Sequence, residues 1–164
     1  MKIEHNYQSI EGWFNMEKQY LELLDNTSEK GKFVELGAYK GKSTSFIVTE
    51  MMNRDRNIEF ITVDTFLGDS GSIDIKEVEA YKQVNISKMY EEFKENTKHL
   101  EDNFTIMVNY SYEAAEYFLD NSIDTIFIDA GHSYEAVLAD LKAWYPKMKE
   151  GSIMSGHDYN AWQG

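Results

Sequence analysis

Phe33-Val34-Glu35-Leu36-Gly37-Ala38-Tyr39-Lys40-Gly41-Lys42-Ser43-Thr44 begins as an apolar strand, passes through a turn with two glycines and ends in helix-forming residues. A glycine has no Cβ, so Gly37 and Gly41 let the chain turn tightly and approach a ligand closely, and the helix that follows offers unpaired N–H groups. The turn has a purely structural reading as well. The third glycine of a dinucleotide fingerprint is absent, and Lys42 and Ser43 do not keep the phosphate-loop spacing. The next apolar run closes on Thr62-Val63-Asp64. Its acid falls about 20 residues beyond the turn, the offset at which a carboxylate reaches ribose hydroxyls in a nucleotide crevice. An Asp in that place can equally cap its own loop. Together the turn and the acid favour an adenosine-type ligand.

Outward from this stretch, apolar and β-branched runs at residues 33–36, 58–63, 104–108, 125–128 and 152–155 read as buried strands. Stretches with three-to-four spacing at 14–24, 43–52, 86–100, 112–119 and 134–145 read as helices. The alternation predicts an α/β fold, a Rossmann-like doubly wound parallel sheet of five strands, in a single domain over residues 1–164. Residues 1–30 form a helical cover and 31–164 the binding core. Ser111 is placed to cap the helix that follows it, and Pro146 closes the helix that starts near Ser133. Residues 65–84 carry Gly68, Asp69, Ser70, Gly71 and Ser72 and lack periodicity, as a functional loop does.

The chain has 164 residues, 42% hydrophobic, and a single proline, which suits one compact domain. Its formal net charge of -13 repels nucleic-acid backbones and anionic membrane surfaces, and favours small neutral or cationic partners. There is no cysteine, which removes disulfides and thiolate chemistry and suits a reducing compartment. With no apolar leader after Met1 and no run long enough to span a membrane, the expectation is a soluble cytoplasmic protein.

Asp129 and His132 follow the fourth predicted strand, and His157 and Asp158 follow the fifth. If those strands are neighbours, the four side chains converge at the edge where ligands sit in open α/β sheets. Two carboxylates with an imidazole either hold a hard cation such as magnesium or frame a general base, for which imidazole is suited. The bland alternative is that both acids bond loop amides.

Glu35 to Ser43, Val63-Asp64-Thr65-Phe66, Ile128-Asp129-Ala130-Gly131-His132-Ser133-Tyr134-Glu135 with Asp140, Trp144 and Pro146, and Gly156-His157-Asp158-Tyr159 together resemble the class I S-adenosylmethionine-dependent methyltransferases. The branch resembled includes macrocin-type sugar O-methyltransferases and cephalosporin-hydroxylase-like proteins. The likeness extends over nearly the whole chain, including Glu11-Gly12-Trp13-Phe14. It implies S-adenosylmethionine as cofactor, with Glu35, Gly37, Gly41 and Ser43 around its methionine and ribose parts, and Asp64 on the ribose. Thr65 and Phe66 would lie against the adenine, with Ser111 and Asp129 nearby. It further implies magnesium at Asp129 and Asp158, with His157 standing where relatives carry an acid, and His132 as the base that deprotonates a small hydroxylated acceptor such as a sugar.

The resembled fold continues beyond a fifth strand with a helix and an antiparallel strand pair, which this sequence lacks. A bare fifth-strand edge invites association, so the expectation is a homo-oligomer through that edge, or a cover borrowed from residues 1–13. Three other functions compete with the methyltransferase. They are a non-catalytic S-adenosylmethionine-binding module, a nicotinamide oxidoreductase, weakened by the missing glycine, and a phosphohydrolase built on His157-Asp158.

Overall fold

A computed structural model describes residues 2–67 and 88–157. Parallel strands β1 (Lys32–Leu36), β2 (Glu59–Asp64), β3 (Thr105–Val108), β4 (Ile123–Ile128) and β5 (Met148–Gly156) form one sheet in the order β3-β2-β1-β4-β5. Helices α1 (Glu17–Asn26), α2 (Lys42–Asn53), α3 (Lys88–Thr97), α4 (Ser111–Ala114) and α5 (Tyr134–Trp144) flank it. The chain winds from β1 to β3 on one side and then crosses back to β4, so the winding reverses between β1 and β4.

Successive strand side chains point to opposite faces, and here both faces are buried. Phe33, Phe60 and Phe127 pack with Tyr20, Leu23 and Leu24 of α1 and Phe46, Ile47 and Met51 of α2. Their neighbours Val34, Ile61 and Ile126 face the other way, toward Ala114, Ala115 and Trp144. Each of the fully buried rings contributes about 2–3 kcal/mol of apolar burial. A smaller cluster of Ala38, Phe66 and Phe93 seats α3 beside the β1 turn.

The sheet matches the predicted architecture, with differences at element ends. Helix α3 stops at Thr97 and continues as a 3-10 segment, Lys98–Asn103; residues 68–87, which include most of the predicted irregular loop, lie outside the described residues. The helix expected over 112–119 is one α-turn followed by a 3-10 turn, because Phe118 becomes extended and packs its ring 5.0 Å from Trp144. Ser111 is the first residue of α4 and makes no capping bond, so its assignment as a cap is corrected; Tyr110 precedes it. By contrast, the Ser133 hydroxyl accepts the N–H of Ala136 at 3.1 Å and caps α5. Strand β5 starts four residues earlier than expected because its first half, Lys149-Glu150-Gly151, is exposed and has no apolar alternation.

Among the described residues β5 is one edge of the sheet and β3 the other. The amino-terminal segment does not cover it. Ile3 exchanges hydrogen bonds with the Asn53 side chain at 2.6 and 2.9 Å, and His5 Nε2 meets Glu50 at 2.8 Å, so this segment lies on α2 instead. Helix α1 reaches the fifth strand over its face, where Gln19 donates to Ser155 Oγ at 2.6 Å. Among the described residues no helix is long and apolar enough to cross a membrane.

One buried group stands apart. Asp140 of α5 is 0% exposed, and among the described residues neither carboxylate oxygen has a hydrogen-bond partner within ordinary distance. Burial pushes it up to about 6, opposed by the Ser111 hydroxyl nearby. Its folded value therefore exceeds that of an unfolded Asp, so the folded chain holds the extra proton between about pH 4 and 6 and loses stability as pH rises through that window. A rise of about two pH units corresponds to roughly 3 kcal/mol. Asp140→Asn is accordingly expected to raise the melting temperature at pH 7.5 and to remove the stabilisation that the native chain gains on acidification to pH 5; a calorimetric scan at the two pH values checks both.

Candidate functional site

The turn after β1, residues 65–67 after β2, the segments after β3 and β4, and His157 after β5 lie at the carboxyl end of the sheet. The reversal of winding between β1 and β4 makes this the place where ligands bind in open α/β sheets. Main-chain bonds carry the ladders one residue into these loops: Gly37 N–H donates to Val63 O at 2.9 Å, Asp129 N–H to Leu36 O at 2.8 Å and His157 N–H to Ile128 O at 3.1 Å. The loops therefore leave the sheet in fixed directions.

Gly37 is glycine for two reasons. Its φ is +92°, and a Cβ there would fall 1.9 Å from the Asp129 carbonyl oxygen. The β1 turn and the β4 loop are thus pressed together main chain to main chain. Gly41, expected to approach a ligand, instead faces α3. It sits in the left-handed region at the start of α2, and a Cβ would meet Thr97 Cγ2 at 2.7 Å and the Phe93 ring at 3.0 Å. Its missing side chain serves helix packing.

Asp64 accepts the N–H groups of Ala38 at 2.7 Å and Tyr39 at 2.8 Å on one oxygen, and that of Phe66 at 2.7 Å on the other. Burial pushes this carboxyl above the usual range, opposed by those N–H donors. The loop-capping alternative is realised: the acid organises the β1 turn, which lets Tyr39 hold a φ of +49°.

Glu35 differs from its expected place beside the methionine part. It is 0% exposed and does not open onto the crevice. Tyr20 donates to one oxygen at 2.9 Å, and Thr44 and Thr62 to the other at 2.5 and 2.8 Å. Burial raises its pKa, while these hydroxyls and that of Ser43 lower it. Glu35 thus ties α1, β1, β2 and α2 together beneath the turn, and half-buried Ser43 lies between this network and the surface.

Phe66, expected against an adenine, lies under α3. It is 1% exposed, with its ring 5.0 Å from both Tyr90 and Phe93, so α3 covers it. Thr65 stays half-buried and accepts the Leu67 N–H at 3.3 Å. Ser111 is half-buried, and its carbonyl accepts the Trp144 indole N–H at 2.9 Å.

The carboxyl ends of β4 and β5 do bring three of the expected side chains together. Asp129 Oδ1 lies 3.6 Å from His132 Nε2 and 3.7 Å from His157 Nδ1, and all three are partly exposed. Asp158 lies outside the described residues. Among the described residues no group of three or more His, Asp or Glu side chains is placed to hold a metal ion. Two imidazoles around one carboxylate oxygen also make a poor donor set for magnesium, which prefers oxygen ligands. The magnesium expected at Asp129, His157 and Asp158 is therefore not supported, and the trio reads as an acid-imidazole pair with a second imidazole.

Sequence reasoning missed the hydroxyl partners of Glu35. Thr44 and Thr62 were legible only as helix and strand residues, and Tyr20 only as part of an apolar stripe. The one available signal was a charged residue inside an apolar strand, which must find donors.

A family model described as "Methyltransferase domain" matches residues 34–159, and the chain belongs to that family. The uncharacterized protein R132 of Acanthamoeba polyphaga mimivirus is 28% identical over 155 residues, covering 89% of this chain and 60% of the viral protein. The uncharacterized protein y4gI of Sinorhizobium fredii is 28% identical over 127 residues, covering 77% of this chain and 13% of its own length. The chain thus spans less than two thirds of either relative. The solved O-methyltransferase NovP superposes with a TM-score of 0.65 at 19% identity, over 87% of this chain and 64% of NovP. An rRNA methylase of Streptococcus thermophilus does so with 0.55 at 9% identity, over 88% and 72%. At these identities the likeness establishes a shared fold, the Rossmann-like methyltransferase fold.

The Glu35 network is a matter of stability first. Glu35→Ala leaves three hydroxyls without their acceptor and opens a cavity, so a loss of roughly 3–5 kcal/mol is expected in urea unfolding, against roughly 1–2 kcal/mol for Tyr20→Phe. Equal small losses in both variants would show that the network does not hold these elements together.

Proposed function

We propose that this chain is an S-adenosylmethionine-dependent methyltransferase that methylates a hydroxyl group on a small acceptor such as a sugar. The observation that carries the reading is the convergence, at the β1/β4 reversal, of the Asp64-braced Gly37 turn with Asp129, His132 and His157. Membership of a methyltransferase-domain family supports the cofactor, and the NovP-like fold agrees with transfer to oxygen.

Bound S-adenosylmethionine supplies an electrophilic methyl group on a sulfonium. The chain's part is to hold the reactants in line, from which methyl transfer gains most. The main chain of the Gly37 turn, Ser43, Thr65 and Ser111 would hold the donor, with Asp64 taking its ribose hydroxyls. In the transfer the bond from methyl carbon to sulfur would break as the bond to the acceptor oxygen forms, leaving a neutral thioether. His132 would accept the acceptor's hydroxyl proton, and Asp129, 3.6 Å away, would stabilise the resulting imidazolium.

The test has two stages on the full chain. Calorimetric titration with S-adenosylhomocysteine is expected to show micromolar binding that weakens tenfold or more in Asp64→Ala, a loss of about 1.4 kcal/mol. A screen of hydroxylated acceptors, read as S-adenosylhomocysteine release, should then find turnover that falls about 10²–10⁴-fold in His132→Gln with cofactor affinity unchanged. Binding without turnover on any acceptor would favour a non-catalytic binding module; absence of binding would overturn the donor site.

A further inference from the structure

Glu11-Gly12-Trp13-Phe14, singled out in the sequence, has no part in the chemistry above. In the structure this segment is a strap fastened to the β1 turn. Lys40 Nζ contacts Glu11 at 2.6 Å and Glu92 of α3 at 2.8 Å, and the two carboxylates hold the lysine protonated well above its usual range. Lys42 Nζ donates to the Gly12 carbonyl at 3.1 Å. Gly12 lies flat on Tyr39, where an added Cβ would come within 3.2 Å of the ring. On either side the strap is sunk into the core: Ile10 is 4% exposed, and the Phe14 ring lies 5.2 Å from Phe46 and 5.3 Å from Tyr20.

Between these anchors Trp13 is 92% exposed, the most exposed of the large apolar side chains among the described residues. Its ring lies beside that of Tyr39, at 6.3 Å between centroids and 37° between planes. A single exposed apolar side chain is ordinary on a protein surface. Here the backbone that carries the indole is anchored on both sides, so part of the freedom that binding would remove is already gone. The strap's contacts with the turn, moreover, run to Tyr39, Lys40 and Lys42, on the segment that Gly37 begins.

We infer that residues 11–13 form the outer wall of the methyl-donor site, resting on the site proposed above, with the Trp13 indole as the face that packs on the bound donor. Asp64 braces the turn from within and the strap braces it from without, so the Gly37 turn is held on two sides before a ligand arrives. The adenosyl and thioether parts of the donor are apolar enough to cover the indole, and the sulfonium charge of S-adenosylmethionine suits an aromatic face. Trp13 is thereby a donor-binding residue.

The test compares the full chain with Trp13→Ala and Trp13→Phe, using S-adenosylhomocysteine as the probe. Loss of an aromatic contact of this kind is expected to weaken binding about tenfold in Trp13→Ala, while Trp13→Phe stays within about threefold. The melting temperature should be unchanged in both, since the side chain buries little. The native chain has three tryptophans, and the emission change on ligand binding should be smaller in Trp13→Phe than in the native chain. Unaltered affinity in Trp13→Ala would overturn the inference while leaving the donor site intact. Failure of the native chain to bind the probe would instead overturn the donor site and the wall with it.

Discussion

The main-chain contact between Gly37 and Asp129 sets the geometry of the site. A glycine Cα stands where any Cβ would collide with the Asp129 carbonyl oxygen, so the first strand's turn and the fourth strand's loop share one wall. The contact occurs where the sheet reverses its winding, and there the strand ends diverge to leave a crevice. Around it the remaining constraints fall into place. Asp64 fixes the two N–H groups that follow Gly37, and Gly41 lets α3 close against the start of α2. Asp129, pinned through its own N–H to Leu36 O, carries its side chain toward two imidazoles.

Four acids in or near the core show how environment assigns work to one functional group. Glu35 is buried and satisfied by hydroxyls, and it joins elements. Asp64 is satisfied by main-chain N–H groups and shapes a turn. Asp140 is buried without a hydrogen-bond partner among the described residues and makes stability sensitive to pH. Asp129 is partly exposed beside His132 and His157, the arrangement on which the proposed proton transfer rests. Of the four, only Asp129 combines exposure to the crevice with a titratable neighbour.

Much of the fold was legible in the sequence, since apolar strands alternating with amphipathic helices leave few topologies for a chain of this length. The places where the reading failed are physical. Strand β5 begins in exposed polar residues with no periodicity, and the segment after β3 is divided into single turns by the demands of packing on Trp144. Within the site, the turn and the acids were found from spacing, and the clustering of Asp129, His132 and His157 followed from strands β4 and β5 being neighbours. Spacing could not tell which side of the backbone each residue faces. Phe66, Gly41 and Glu35 all lie in the right segments, yet face α3 or the core. The segment that carries Trp13 is fastened to the β1 turn through lysine contacts of Glu11 and Gly12 with distant parts of the sequence, which no local pattern reveals.

Backbone amide shifts of the isotopically labelled chain, followed during titration with S-adenosylhomocysteine, test the central claim most directly. The account predicts saturable shifts concentrated at Gly37, Ala38, Tyr39, Thr65 and Asp129, at the carboxyl ends of the strands. Shifts confined to the opposite end of the sheet or to the outer surface of α5, or no shifts at millimolar ligand, would contradict it.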